Sequence, residues 1–201
     1  MKKMTGYFDF VCPYCYLGTA YAEKMQREIS CEIDWIPVNI HPDLPPEGQD
    51  IFTALPHVTD LGERIGRLRE LGATIDLPFI ENCCVPNTQK ALEAMEYARD
   101  QGKANLFMKT VFNAYFGAGL NIADERVVVL LAEAVGLDGK ELQKAWQEKR
   151  YEARMNGYIK DAQQIELDVV PTLVLNGKKV LEASQTMTFE EYQEKYREIF
   201  K

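Results

Sequence analysis

The chain has 201 residues, of which 46% are hydrophobic and 27% charged, a composition typical of a globular domain that buries a core. Its 31 acidic residues outnumber its 23 basic ones, and the resulting net charge of -8 argues against binding to nucleic acid or to an anionic membrane surface. The longest apolar run, residues 127–132, is far shorter than the about 20 residues needed to cross a bilayer. We expect one domain, or one domain with a large insertion.

The N-terminus begins with Met1-Lys2-Lys3, but Asp9 and Cys12 interrupt the apolar segment that a secretory signal would need. We therefore expect a cytoplasmic location. The chain has five cysteines, an odd number that does not favour a framework of structural disulfides in a reducing compartment. Redox or metal chemistry is the alternative to be weighed.

The first predicted unit is a strand, a helix and a second strand. Residues 4–11 are β-branched and aromatic and end at Cys12-Pro13, where proline suits the first position of a helix. Apolar residues then recur at helical spacing, and residues 31–38 again have strand character. This order and length predict a right-handed βαβ unit with parallel strands.

The middle of the chain is predicted to be helical after a proline-rich loop over residues 39–49, with Asn87 and Asp124 as candidate helix caps. Strands return at residues 169–175 and 178–183, joined by Asn176-Gly177, which is a strong hairpin pattern. Thr188 and Glu191 form a capping box before a last amphipathic helix. The predicted order is therefore βαβ, helices, ββα.

Cys12-Pro13-Tyr14-Cys15 lies at the predicted strand-to-helix junction. As an N-cap, Cys12 would face unsatisfied backbone N–H groups and the positive end of the helix dipole, both of which favour a thiolate. Cys15 follows one turn later, at a Cα separation of about 5 Å that a disulfide tolerates. Pro13 stiffens the turn, and Tyr14 would line its rim.

Two structural interpretations compete with redox exchange at this motif. The cysteines can act as small hydrophobic side chains in a core, or they can bind zinc. A tetrahedral zinc site takes four Cys or His ligands, usually from paired motifs, and Cys83-Cys84 lacks the two-residue spacer of such pairs. The position at a helix N-terminus favours redox exchange.

Val170-Pro171-Thr172 is the second informative motif, because proline at the start of an apolar strand needs a special position. A cis bond at Val170-Pro171 would expose the Val170 backbone for antiparallel pairing with an extended peptide beside Cys12. The alternative is a trans proline that only begins a strand.

With these motifs in place, the chain resembles the DsbA-like thioredoxin-fold oxidoreductases, and most closely the FrnE-like branch often labelled dithiol-disulfide isomerase. The matching stretches span nearly the whole chain and occur in the same order as in the family. The resemblance rests on four stretches: DFVCPYCYLG at 9–18, PPEG at 45–48, PNT at 86–88, and VPTLVLNG at 170–177 followed by Ala183-Ser184-Gln185.

The resemblance implies an α/β thioredoxin-like fold (βαβ…ββα) with a large α-helical insertion domain. We expect residues 1–40 and 166–201 to form the thioredoxin-like domain, and residues 41–165 to form a connecting loop and the helical insertion. It also implies that Cys12 is the nucleophile and Cys15 the resolving cysteine, both catalytic. Substrate would bind at Pro13, Tyr14 and a cis-proline loop, Val170-Pro171.

One departure from the family pattern concerns this loop. Members commonly carry Gly-Val-Pro, where this chain has Val169-Val170-Pro171. A β-branched residue at that position narrows the approach to Cys12. The sequence therefore supports small disulfides as substrates better than it supports polypeptides.

The same fold family includes glutathione-dependent isomerases of chromene carboxylates and kappa-class glutathione transferases, which typically have Ser where Cys12 stands. Such an activity is the alternative function, and it predicts that activity survives Cys15→Ala. A third hypothesis is a binding module in which the two thiols are structural. The presence of both cysteines favours electron exchange.

Several other residues have weaker claims to function. Cys83-Cys84 can form a strained disulfide relay or be buried, and Asp9 can relay a proton or be structural. His41 and His57 lack the spacing of metal ligands. Residues 116–120 contain two glycines but follow a helical pattern, so no nucleotide site is indicated. An aromatic set is expected to pack between helices or to wall a groove beside the cysteines: Phe107, Phe112, Tyr115 and Phe116.

We thus expect a thiol-disulfide oxidoreductase or isomerase with no metal and no tightly bound cofactor, and with glutathione as a candidate thiol partner. Its partner would be a disulfide-containing polypeptide or a small-molecule disulfide, and a homodimer is compatible with the sequence.

Overall fold

The computed structural model describes residues 2–80, 82–182 and 187–201. Ala183-Ser184-Gln185, which contribute to the family resemblance and to the predicted end of the last strand, lie outside the described residues. Within the described ranges, no helix has the length and apolar character that crossing a membrane requires.

The elements follow one another as strands at both ends of the chain and helices between them. The strands are β1 (Lys2–Phe8), β2 (Cys31–Pro37), β3 (Gln49–Asp50), β4 (Cys84–Val85), β5 (Thr172–Leu175) and β6 (Lys178–Glu182). The helices are α1 (Pro13–Glu28), α2 (Ile51–Ala54), α3 (Leu61–Ala73), α4 (Gln89–Asp100), α5 (Ala104–Phe112), α6 (Glu125–Ala134), α7 (Gly139–Gln147), α8 (Glu152–Gln164) and α9 (Phe189–Ile199). A π-helical turn, Asn113–Gly117, extends α5.

The main sheet has the strand order β2-β1-β5-β6. β1 and β2 are parallel, with Met4 opposite Ile33, so the predicted βαβ unit is confirmed. β5 runs antiparallel to β1 and pairs with β6 through the predicted Asn176-Gly177 turn, where φ is 52° and 75°. The capping box of α9 is also present. A second sheet, β3 with β4, was not predicted, because two-residue strands carry no periodicity.

Two predicted boundaries differ from the structure for local reasons. β1 ends at Phe8 rather than at residue 11, because the next residues form a turn in which the backbone N–H of Cys12 donates to the Asp9 carbonyl. α4 begins at Gln89 with Thr88 as its N-cap residue. Asn87, the predicted cap, instead accepts a hydrogen bond from the Gln89 backbone through its side chain.

Helices cover both faces of the main sheet. On one face, α1 and α9 pack together through the rings of Tyr21 and Tyr192, whose centroids lie 5.4 Å apart. On the other face, Tyr7 of β1 and Val174 of β5 share a cluster with Ala162 of α8. α8 therefore packs on the sheet although it falls inside the range predicted for the helical insertion. The domain boundaries stay a prediction.

A buried ion cluster joins the helices to the sheet. Glu96 of α4 is fully buried and accepts hydrogen bonds from Arg99 and Arg154, at 3.0 and 3.1 Å. Arg99 also pairs with Asp34 of β2, and Tyr158 of α8 donates to Glu96. Removing one partner from such a buried group is costly, so this cluster fixes α4 and α8 against β2.

Candidate active site

The CPYC segment occupies the predicted strand-to-helix junction. Cys12 is the N-cap of α1 and Pro13 begins the helix. The Cys12 sulfur accepts a hydrogen bond from the backbone N–H of Cys15 at 3.3 Å. Such a contact to a first-turn N–H becomes stronger when the sulfur is charged. The predicted capping role of Cys12 is therefore confirmed.

Cys15 lies one turn behind Cys12 and is fully buried, whereas Cys12 remains 6% exposed. Burial raises the pKa of the Cys15 thiol well above its ordinary value, and the neighbouring Cys12 sulfur raises it further. The two thiols are therefore unequal. Cys12 is the sulfur that an external disulfide can reach, and Cys15 is held protonated behind it.

Asp9 is a buried group that lies close enough to Cys15 to act on its thiol. Its carboxylate is completely buried and accepts backbone hydrogen bonds from Val11 and Ile40, at 3.3 and 2.8 Å. Burial raises the pKa of Asp9 to about 6, against the lowering effect of these bonds and of the Thr88 side chain. Asp9 also acts electrostatically on Cys15. The site therefore contains a carboxyl group that changes charge close to neutral pH.

The Val170-Pro171 loop lies directly against Cys12. The peptide bond between these residues is cis, as the sequence analysis proposed. The Cys12 thiol donates to the Val170 carbonyl oxygen at 3.4 Å. Val169, the departure from the family pattern, is 47% exposed, and its carbonyl accepts a hydrogen bond from the Thr172 hydroxyl. The loop thus brings backbone polar groups to the sulfur from 158 residues away in the sequence.

A cleft of about 250 Å³ opens beside Cys12. The N-terminal segment contributes Val11, Cys12, Pro13, Tyr14, Ile40 and His41. Facing residues come from the long segment between β2 and β5: Ile51, Leu55, Val58, Leu61, Arg64, Ile65, Leu68, Phe79, Ile80, Asn82, Val85, Tyr115 and Phe116. The lining is mostly apolar, which suits the cleft to contact with an apolar group.

The sequence analysis identified only part of this lining. The aromatic set was predicted either to wall a groove beside the cysteines or to pack between helices. Tyr115 and Phe116 line the cleft, and Phe107 and Phe112 are found in the buried core. The contribution of α3 was missed. A pattern that could have revealed it is the helical spacing of Leu61, Arg64, Ile65 and Leu68, an apolar face with one cation in it.

Arg64 is held in place at this cleft. Its Nε donates to Asp60 at 2.7 Å, and its side chain also hydrogen-bonds to Tyr14 of the CPYC segment. Burial raises the pKa of Tyr14, so its hydroxyl is neutral near pH 7. These contacts connect α3 to the active-site turn.

Cys83 and Cys84 lie outside the CPYC site. Cys83 is exposed, and Cys84 is half-buried in β4. Burial raises the pKa of Cys84. The five cysteines all lie within the described residues, and each is a free thiol. Cys31 is buried in the core beside Tyr196, as predicted. Among the described residues, no three or more His, Cys, Asp or Glu side chains are grouped to hold a metal ion.

A larger cavity, of about 720 Å³, lies between α1 and α5. Its lining includes Tyr16 and Phe112 but neither cysteine of the CPYC motif. Three charged residues of its lining pair with one another, since Glu23 binds both Arg27 and Lys109. The stacked rings of Tyr16, Phe112 and Phe116 run between this cavity and the cleft beside Cys12. Of these two cavities among the described residues, the smaller cleft is the one that reaches Cys12.

Curated relatives include one with a named activity. The uncharacterized Bacillus subtilis protein YwbO is 26% identical over 185 residues, covering 92% of both chains. The 2-hydroxychromene-2-carboxylate isomerase of Sphingobium xenophagum is 26% identical over 147 residues, covering 70% of this chain and 72% of its own.

Solved structures share the fold over nearly the whole chain. A probable DsbA oxidoreductase from Streptomyces coelicolor superposes with a TM-score of 0.85 at 18% identity, covering 100% of this chain and 90% of its own. The cytosolic disulfide reductase DsbM from Pseudomonas aeruginosa, solved with glutathione, gives 0.74 at 17% identity and covers 98% of both chains. These matches confirm the predicted thioredoxin-like fold with a helical insertion.

The family comparison covers almost all of the chain and both halves of the site described above. The model of the DSBA-like thioredoxin domain matches residues 4–194, a span that runs from β1 into α9. The match therefore includes the CPYC turn, the helical segment that walls the cleft and the cis-proline loop. The chain belongs to the family of DsbA-like thioredoxin-domain proteins.

Proposed function

We propose that this protein is a thiol-disulfide oxidoreductase that works through Cys12 and Cys15. The observation that carries the proposal is the pairing of unequal thiols at one helix N-terminus. Cys12 caps α1 at the mouth of a cleft, and Cys15 is fully buried one turn behind it. This arrangement suits a nucleophile and a resolving group, and membership in the DsbA-like family supports the same chemistry.

The reaction has two exchange steps. The Cys12 thiolate attacks one sulfur of the substrate disulfide, which forms a mixed disulfide and releases the first product thiolate. Cys15 then loses its proton and attacks the Cys12 sulfur, which releases the second product thiolate and closes the Cys12–Cys15 disulfide. The substrate gains two electrons and the protein loses them. Two molecules of a thiol such as glutathione then reduce the Cys12–Cys15 disulfide, which restores both protein thiols and forms glutathione disulfide.

Asp9 is suited to accept the proton of Cys15 in the second step. Its carboxyl acts on Cys15 electrostatically, and burial raises its pKa to about 6. A base whose pKa lies near the working pH is the most efficient proton acceptor. Pro13 lines the cleft beside Cys12, and the Val170 carbonyl contacts the Cys12 sulfur. These contacts support a role for Pro13 and for the Val170-Pro171 loop in substrate binding.

The cellular setting belongs to the same proposal. We propose a cytoplasmic enzyme that uses glutathione as its thiol partner, supported by the likeness to a cytosolic reductase whose structure was solved with glutathione. The substrate would be a polypeptide or a small-molecule disulfide.

A titration in glutathione buffers tests the function. The folded protein is equilibrated over a series of glutathione to glutathione-disulfide ratios, free thiols are alkylated, and the modified cysteines are mapped by mass spectrometry. We expect one reversible two-electron transition confined to Cys12 and Cys15. Cysteines that stay reduced throughout the series would remove the proposed function.

The similarity to a chromene carboxylate isomerase supplies a second candidate, a glutathione-dependent isomerase or transferase. In that case glutathione would bind without forming a disulfide, and turnover would survive replacement of the second thiol. Cys15→Ala separates the two candidates, because a disulfide exchange enzyme with this variant accumulates the mixed disulfide at Cys12.

A further inference from the structure

The cleft beside Cys12 is formed by parts of the chain that are far apart in the sequence. The CPYC turn forms one wall, and α3 forms another with Leu61, Ile65 and Leu68. The rings of Phe79 and Phe116 contribute further apolar surface. Since these residues come from several sides, the cleft offers apolar contacts to a compact group bonded to the reacting sulfur.

The volume of the cleft sets the size of that group. An apolar cavity of about 150 Å³ in a protein core is enough to bind benzene. The cleft beside Cys12 has about 250 Å³, so it accommodates one aromatic ring together with the sulfur bonded to it. Tyr14 and Phe116 place aromatic side chains in its wall, which suits contact with a planar ring.

Arg64 brings a guanidinium to the cleft, where it is ion-paired with Asp60. Its guanidinium is oriented by Asp60 and Tyr14 and lines the same cleft as Cys12. His41 also lines the cleft, and burial together with the nearby His57 lowers its pKa, which leaves it neutral near pH 7. Among the described lining residues, Arg64 is therefore the permanently charged side chain. A guanidinium is the natural partner of a carboxylate.

We propose that the cleft selects disulfides of small aromatic carboxylic acids, with the ring in the apolar pocket, the carboxylate at Arg64 and the disulfide at Cys12. This inference rests on the proposed exchange activity and names its substrate class. Arg64 is the specificity residue.

The electron balance is that of disulfide reduction. Cys12 attacks the sulfur attached to the bound ring, the sulfur–sulfur bond breaks, and the distal arylthiolate leaves with the bonding pair. Cys15, after losing its proton, attacks Cys12 and releases the bound arylthiolate. One disulfide yields two arylthiolates, and the protein dithiol becomes a disulfide that two glutathione molecules reduce.

Three probes separate the contributions of ring and charge. They are bis(4-carboxyphenyl) disulfide, its neutral isostere bis(4-carbamoylphenyl) disulfide, and 2-hydroxyethyl disulfide, which has no ring. The rate with the reduced protein is divided by the rate of the same probe with free glutathione, which removes intrinsic reactivity. We expect the carboxyl probe to exceed the carbamoyl probe by about tenfold, the size of one charge-assisted hydrogen bond. The net charge of -8 acts against this preference, so a preference marks a local cation.

Matched variants of α3 locate the effect. Arg64→Gln should reduce the carboxyl preference, the rate with the carboxyl probe divided by the rate with the carbamoyl probe for the same variant, to about one. Arg67→Gln is the control, because Arg67 lies on the same helix, pairs with Glu70 and does not line the cleft. Equal preferences in the two variants would overturn the assignment of Arg64.

Competition on the unmodified protein keeps the test independent of folding in the variants. The unreactive 4-(methylthio)benzoate should inhibit reduction of 2-hydroxyethyl disulfide about tenfold more strongly than 4-(methylthio)benzamide. Equal inhibition, or no carboxyl preference with the disulfide probes, would overturn the substrate class while leaving the exchange activity in place. If the protein reduces none of the three disulfides, both the proposed function and this inference are contradicted.

Discussion

The chain carries two pairs of cysteines whose surroundings differ throughout. Cys12 caps a helix of 16 residues, and Cys15 is buried in its first turn. Cys83 and Cys84 lie at a strand of two residues, one exposed and the other half-buried. The first pair faces helix N–H groups and a cleft, whereas the second pair has neither. Both pairs have the same side-chain chemistry, so position in the fold is what separates a candidate redox centre from ordinary thiols.

The difference within the first pair is equally informative. Cys12 has its sulfur between a helix N–H group and the Val170 carbonyl, and it reaches the cleft. Cys15 has no exposed surface, and burial raises the pKa of its thiol. A pair that is to open and close in order needs this inequality, because two equally accessible thiolates would compete for the substrate.

Replacing the thiols gives the largest expected effect and tests directly whether the two cysteine pairs differ in function. Cys12→Ser should lower disulfide reduction to the uncatalysed rate, because a hydroxyl is a poor nucleophile towards sulfur. The matched double variant Cys83→Ser/Cys84→Ser should retain the full rate. The measurement is reduction of 2-hydroxyethyl disulfide coupled to glutathione oxidation. Loss of activity in the double variant would show that the second pair takes part in exchange.

Asp9→Asn gives the next largest effect and tests the inequality within the first pair. Removing the proton acceptor should slow release of the mixed disulfide by about a hundredfold, in the range of general base catalysis, and leave the first step unchanged. Stopped-flow kinetics with a chromogenic disulfide distinguishes the two steps. Equal slowing of both would indicate a general loss of structure rather than a role in proton transfer.

The same variant has a defined effect on stability against pH. Because burial raises the Asp9 pKa from 3.8 to about 6, the folded state binds more protons than the unfolded state in this interval. Stability from this group is present below pH 3.8 and is lost as the pH rises through 6. The loss is about 3 kcal/mol in the free energy of unfolding. Denaturant titrations should show this decline in the wild type and in the exposed-site control Asp43→Asn, but not in Asp9→Asn.

Val169→Gly gives the smallest expected change and tests how the residue before the cis-proline loop affects access of substrates to Cys12. Val169 is exposed next to the loop that contacts Cys12. The sequence analysis predicts that its β-branched side chain narrows the approach to Cys12. We expect the variant to reduce a disulfide-bonded polypeptide about threefold faster, the effect of relieving a steric contact worth less than 1 kcal/mol. The rate with 2-hydroxyethyl disulfide is the internal control and should not change.

Local features were predictable from the sequence because local chemistry fixes them. The strand-to-helix junction at Cys12, the Asn176-Gly177 turn and the capping box at Thr188 each depend on a few adjacent residues. The cis bond before Pro171 was one of two alternatives that a proline at the start of a strand left open, and the family resemblance implied it.

The cleft was not predictable in the same way, because tertiary packing forms it. Arg64 reaches Tyr14 across 50 residues of sequence, and no pattern in either segment specifies that contact. The burial of Asp9 likewise depends on the distant Ile40 backbone and the Thr88 side chain. A carboxylate next to a strand end is equally compatible with solvent, so its raised pKa became visible only in the folded structure.

The π-helical turn after α5 has a consequence for how the pocket changes between related chains. Within Asn113–Gly117, Asn113 bonds to Tyr16, Tyr115 bonds to the Cys84 carbonyl, and Phe116 faces the cleft. A π-turn holds one residue more than an α-turn, and each residue rotates a helix by about 100°. Deleting a single residue here would swing both rings away from the cleft and leave the thiols in place. Deleting a residue within this turn would thus change the substrate preference without any substitution at the cysteines.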